Sequence, residues 1–104
     1  MNTISVDELK ELMDNNADFA LIDVREPAEY EGANIGGELI PLQTVPQNIE
    51  KFKQDKQVVV MCRSGNRSGQ AVMFLEQNGV KGLYNLEGGI LDWKNEIDNS
   101  LDVD

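Results

Sequence analysis

There is no histidine in the 104 residues. Its absence removes Ser-His-Asp and Cys-His catalysis, together with every histidine-based metal site. Cysteine is nearly absent too. With Cys62 alone, neither an internal disulfide nor a Cys-x-x-Cys redox or zinc site can form, and no metal or cofactor is expected. Bases are scarce: 9 Lys and Arg stand against 19 Asp and Glu, for a net charge of −10. That balance argues against nucleic acid and anionic membranes as partners, because both demand a basic footprint. No apolar run approaches the length of a helix that crosses a bilayer. The opening Met1-Asn-Thr-Ile-Ser-Val-Asp-Glu8 has neither a basic n-region nor an apolar h-region. No signal peptide is therefore expected, and a cytoplasmic location is.

What is present is ordinary globular composition, 40% hydrophobic and 27% charged, at a length that suits one domain over residues 1–104 with a single core. No repeat, low-complexity tract or linker interrupts it, and no exposed apolar stripe suggests an oligomer, so a monomer is expected. Ser5 and Glu8 predict a capping box opening a helix that buries Val6, Leu9, Leu12 and Met13. Phe19 to Val24 reads as a buried strand, and Pro27 suits the first turn of a helix to about Tyr30. Glu38 to Ile40 reads as a short strand and Val45 to Phe52 as a helix. Gln57-Val-Val-Val-Met-Cys62 is the clearest strand, a β-branched run of the kind buried on both faces of a parallel sheet. Ser68 to Gln77 is predicted helical with Val72, Leu75 and Met73 inward, ending at Asn78-Gly79. Leu83 to Leu86 reads as a last strand and Ile90 to Ile97 as a closing helix. The acidic tail, about 98–104, is expected to fray.

Strands and helices alternating at this spacing predict an α/β sandwich, a small parallel sheet with helices on both faces. Ligands of such sheets bind beyond the carboxyl ends of the strands, which is where Cys62 falls. The six lysines are scattered, whereas two of the three arginines, Arg63 and Arg67, flank that cysteine. The segment Cys62-Arg-Ser-Gly-Asn-Arg-Ser68 runs from strand end to helix start. Gly65 and Asn66 tolerate positive φ, so the loop can curl until its amides point inward as an anion nest. Amides, helix N-terminus and the two arginines all favour a thiolate, which needs no general base to act as a nucleophile. A lone cysteine ending an apolar strand is ordinarily a small buried hydrophobe. A purely structural turn, however, has little use for two arginines and two serines.

Cys62-Arg-Ser-Gly-x-Arg-Ser68 resembles the active-site loop of single-domain rhodaneses, the thiosulfate and persulfide sulfurtransferases. Ile22-Asp-Val-Arg-Glu-Pro-x-Glu-Tyr30 resembles the first signature of that family. Leu39-Ile-Pro-Leu42 resembles the strand exit that follows, and Leu86-Glu-Gly-Gly-Ile-x-x-Trp93 the C-terminal signature. Family members commonly carry Gly-His-Ile where this chain has Ala33-Asn34-Ile35. The Asn-Ile-Gly-Gly variant is similar to rhodanese segments fused to enzymes that activate sulfur-carrier proteins.

The resemblance implies a Cys62 persulfide, its sulfur taken from thiosulfate or a persulfide. The amides of Arg63, Ser64, Gly65, Asn66, Arg67 and Ser68 would hold the anionic sulfur, with Arg63 and Arg67 drawing in the donor's oxygens. With no second cysteine the acceptor must be external: cyanide, a small thiol, a thioredoxin-like protein or a sulfur carrier. Asp23 is expected to bond loop amides or cap the next helix. Arg25 is expected to form a structural ion pair, with Glu87 a candidate. Trp93 reads as core or rim packing, and Gly88-Gly89 as a close backbone approach or a plain turn. Two other readings are a phosphatase of the same fold and a non-enzymatic docking module. The phosphatase loop is Cys-x5-Arg, one residue longer than the Cys-x4-Arg here, and domains that have lost catalysis usually lack the cysteine.

Overall fold

Gln57–Met61 (β4) lies at the centre of the sheet because its valines can be buried on both faces at once; Val58, Val59, Val60 and Met61 are all inaccessible to solvent. The computed structural model describes residues 1–103. Around β4 stand Asn2–Ile4 (β1), Phe19–Asp23 (β2), Glu38–Leu39 (β3) and Leu83–Leu86 (β5), all parallel, in the order β1-β5-β4-β2-β3. The register sets Asp23 beside Met61 and Val60 beside Asn85, so the carboxyl ends of β2, β4 and β5 form one rim.

Alternation along β4 divides the core in two. Val58, Val60 and Cys62 face a cluster with Val72 and Leu75 of Asn66–Gln77 (α3). Val59 and Met61 face a second cluster with Val6 and Leu9 of Val6–Asp14 (α1) and with Ile90 and Trp93 of Gly89–Glu96 (α4). The expected α/β sandwich is present, with Trp93 in its core. Ser5 and Glu8 form the reciprocal capping box at 3.1 and 3.0 Å, and Pro27 opens Pro27–Gly32 (α2).

Four local expectations need correction. The helix over Val45–Phe52 is replaced by two 3-10 segments, Leu42–Gln47 and Ile49–Phe52. Pro46 lies inside the first; it has no N–H to donate and its ring crowds the preceding turn, which prevents a regular α-helix. Val45 and Phe52 are buried all the same. Met73 is 54% exposed, and Ala71 takes the inward position instead. Helix α3 starts at Asn66 rather than Ser68, so Arg67 and Ser68 belong to its first turn. In the tail, Leu101 and Val103 lie half-buried against the second cluster, and two apolar side chains anchor a segment expected to fray; Asp104 lies outside the described residues. Strand β1 was not foreseen. It is a three-residue edge strand in which only Ile4 is buried, too short to show a period.

Candidate active site

Cys62 follows β4 immediately and is 1% exposed. Its carbonyl accepts from the Ile90 N–H at 3.0 Å, and that of Arg63 from the Leu91 N–H at 3.1 Å. The first amides of α4 thus fix the start of the loop, and they reach it because Gly89 has no side chain. A Cβ on Gly89 would meet the Cys62 and Arg63 carbonyl oxygens, at a φ of +57°. The loop then turns through Gly65, whose φ of +106° caps α3 in a conformation that favours glycine. Gly65 O receives the first helical bond, from Gly69 N–H at 3.0 Å.

This turn directs donors at the sulfur. The Gly65 N–H donates to Cys62 Sγ at 3.1 Å, and Ser68 Oγ lies 3.3 Å from it. Burial pushes the thiol pKa up, but hydrogen bonds from the Ser68 hydroxyl and the amides of Ser68, Gly65 and Ser64 outweigh it. The net result is a thiol pKa below its ordinary value of 9.0.

Ser68 Oγ also lies 2.5 Å from Asn85 Oδ1, while Asn85 Nδ2 donates to Gly65 O at 3.1 Å. Gly65 O can only accept, which fixes the Asn85 amide with its oxygen toward Ser68. The single Ser68 proton serves Asn85 or the sulfur, one at a time, and must turn toward the sulfur when the thiol ionises. Ser68→Ala removes that donor and is expected to raise the Cys62 pKa, slowing alkylation on the acid side of the pH profile. An unchanged profile would leave the backbone amides as the whole cause.

A matching family model for the rhodanese-like domain spans residues 5–96. The chain belongs to that family. A rhodanese-like domain protein from Staphylococcus aureus has a crystal structure that superposes with a TM-score of 0.84 at 32% identity, over 100% of this chain and 99% of that one. A sulfurtransferase of Allochromatium vinosum is 36% identical over 94 residues, covering 89% of this chain and 88% of that protein. The protein YqhL of Bacillus subtilis is 44% identical over 78 residues, covering 74% of this chain and 62% of that relative, less than two thirds of its length.

Within this rhodanese-like frame Arg25 forms the expected structural ion pair, though with another partner, and Arg67 has a carboxylate partner that its own segment does not announce. Arg67 points to α2, where its Nη1 and Nη2 donate to the two carboxylate oxygens of Glu29 at 2.7 and 2.9 Å. The Arg67 hydrogen bond is the main cause that lowers the Glu29 pKa to about 2, so the carboxylate is ionised throughout the neutral range. Arg25 does not meet Glu87. Its Nε and Nη2 donate to the Asp23 carboxylate at 2.8 to 3.1 Å, with Arg25 2% and Asp23 1% exposed. Asp23 is thereby occupied; its one backbone partner among the described side-chain bonds is the Arg25 N–H at 3.0 Å, not a loop amide. Arg63, Ser64 and Asn66 are exposed.

Two residues of the site were missed. Asn85 lies within the strand Leu83-Tyr-Asn-Leu86, and an amide inside that otherwise apolar and aromatic run is the signal that marks it. Glu29 sits on an exposed-looking helix, and nothing local ties it to a residue 38 positions away.

Proposed function

We propose that this chain is a sulfurtransferase that carries sulfane sulfur on Cys62 as a persulfide. The observation that carries the reading is a buried thiol at the carboxyl end of the central strand, held by the Gly65 amide and the Ser68 hydroxyl. Both donors favour a thiolate, and both remain in place to share the negative charge of a terminal sulfur. The Cys62 thiolate attacks the outer sulfur of the donor, forming an S–S bond as the bond behind that sulfur breaks. Thiosulfate releases sulfite with the bonding electron pair; a hydropersulfide releases its thiolate and leaves its proton on the new persulfide. An acceptor nucleophile then takes the outer sulfur and returns Cys62 as thiolate.

Because Cys62 is the only cysteine, no thiol of the chain can resolve the persulfide. The acceptor is external: cyanide, a small thiol, a thioredoxin-like protein or a sulfur carrier. Among the described residues no cluster of His, Cys, Asp or Glu could hold a metal ion, and the transfer as written uses none. No helix of the described residues is long and apolar enough to cross a membrane. A monomer acting in the cytoplasm, where free thiols persist, completes the reading.

Intact mass after mixing the protein with excess donor, without reductant, tests it. The expected result is a gain of one sulfur atom on Cys62, reversed by cyanide or a thiol. A gain with a hydropersulfide but not with thiosulfate would retain the chemistry and identify the donor class. No gain with either would overturn the reading in favour of a docking module.

A further inference from the structure

Arg25 and Arg67 both have their charge matched within the protein. Arg25 is closed on Asp23 inside the protein, and Arg67 is held in a bidentate pair by Glu29. Glu29 also lines the cavity beside the loop, together with Arg25, Ala33, Arg63 and Asp102. A donor entering through this cavity would meet the Glu29–Arg67 ion pair, of zero net charge, beside Arg63 and Asp102, on a protein of charge −10. Thiosulfate enters as a dianion and must leave a dianionic sulfite at the mouth. An alkyl hydropersulfide brings at most one negative charge and needs no cradle for oxyanions.

We infer that Glu29 sets the donor class of this site: by neutralising Arg67 it biases sulfur entry toward organic hydropersulfides and against thiosulfate. The inference rests on the sulfur-transfer reading above. Glu29 is a positioning residue here, acting through Arg67 and not on the sulfur. Its side chain is fixed for that task, since Oε1 also accepts the Glu26 N–H at 3.0 Å in a capping box at the start of α2. Arg25 braces the same helix, donating to the carbonyls of Glu29 and Ala33 at 3.4 and 2.7 Å.

Glu29→Gln keeps an acceptor for the Glu26 amide and for Arg67 while changing the pair from neutral to a net charge of +1. The quantity to measure is the rate of sulfur loading onto Cys62 by thiosulfate, divided by the rate with freshly made 2-mercaptoethanol hydropersulfide. Both rates come from one preparation, so any loss of folded protein cancels in the ratio. Glu29→Gln is expected to raise that ratio about tenfold, the order of magnitude for one charge acting on a dianion at a partly screened rim. Arg67→Gln, which leaves Glu29 uncompensated, is expected to lower it. Glu31→Gln removes a charge from the same helix but not from the Arg67 pair, and is expected to leave the ratio at the wild-type value. An unchanged ratio in Glu29→Gln, or an equal rise in Glu31→Gln, would overturn the assignment to Glu29. Wild-type protein that loads sulfur from thiosulfate but not from the hydropersulfide would overturn the inference about donor class, whereas loading from neither would overturn the underlying sulfur-transfer reading instead.

Discussion

Cys62→Ser is expected to accept no sulfur from thiosulfate or a hydropersulfide while remaining folded. The chain has no other thiol, so persulfide chemistry cannot move to a neighbour, and sulfur transfer should fall about a thousandfold or more, as when a covalent nucleophile is removed. The fold should hardly notice. Serine is nearly the size of cysteine, and its hydroxyl would still meet the Gly65 N–H and Ser68 Oγ that now surround the sulfur, so the cost should stay below about 1.5 kcal/mol. Mass spectrometry for sulfur uptake and thermal unfolding for stability separate the two effects. Sulfur transfer by the serine variant at the wild-type rate would show that Cys62 is not the carrier. A large loss of stability would mean that the thiol is a packing element first.

That separation matters because Cys62 belongs to two systems. Its side chain is part of the cluster that holds Val60, Val72 and Leu75, and it is also the sulfur toward which the loop's donors point. The alternation of β4 explains how one residue serves both: Val58, Val60 and Cys62 share a face, and α3, which covers that face, carries Ser68 in its first turn.

The parts legible in the sequence were those with a local signal. The valine run of β4, the Ser5–Glu8 capping box and Pro27 at a helix start each announce themselves within a few residues. The loop is legible because Gly65 and the flanking polar residues define a strand-to-helix turn. What escaped were relations made by the fold. Nothing near Arg67 in the sequence says that its guanidinium will turn to Glu29 instead of an anion. Nothing near Ser68 says that its proton will be shared with Asn85, which α3 meets on β5. The 3-10 replacement at Leu42–Gln47 was legible in principle, since Pro46 stands in the middle of the segment. The hydrophobic spacing of Val45, Ile49 and Phe52 matches a helix, and all three still pack toward the first cluster although the backbone geometry differs.

Asp23→Ala should be the most damaging substitution to the fold outside the hydrophobic core. It would leave the Arg25 guanidinium, 2% exposed, without the carboxylate that Nε and Nη2 now contact. Breaking a buried pair from one side leaves an uncompensated charge and costs about 3–5 kcal/mol. For a domain of this size that corresponds to a fall of more than about 12 °C in the unfolding midpoint. Replacing both partners at once, Asp23→Leu with Arg25→Met, removes the stranded charge and should recover part of the loss. A loss of under about 1 kcal/mol in the single variant would mean that water reaches Arg25 and that the pair is not sealed. The consequence also extends to the sulfur site. Arg25 holds the carbonyl of Glu29 within α2 and that of Ala33 just past its end, so an Arg25 that moves to find solvent takes α2 with it. Glu29 would then lose its setting against Arg67, and the double variant, which restores stability but not those two hydrogen bonds, should regain its fold without regaining the wild-type balance between donors.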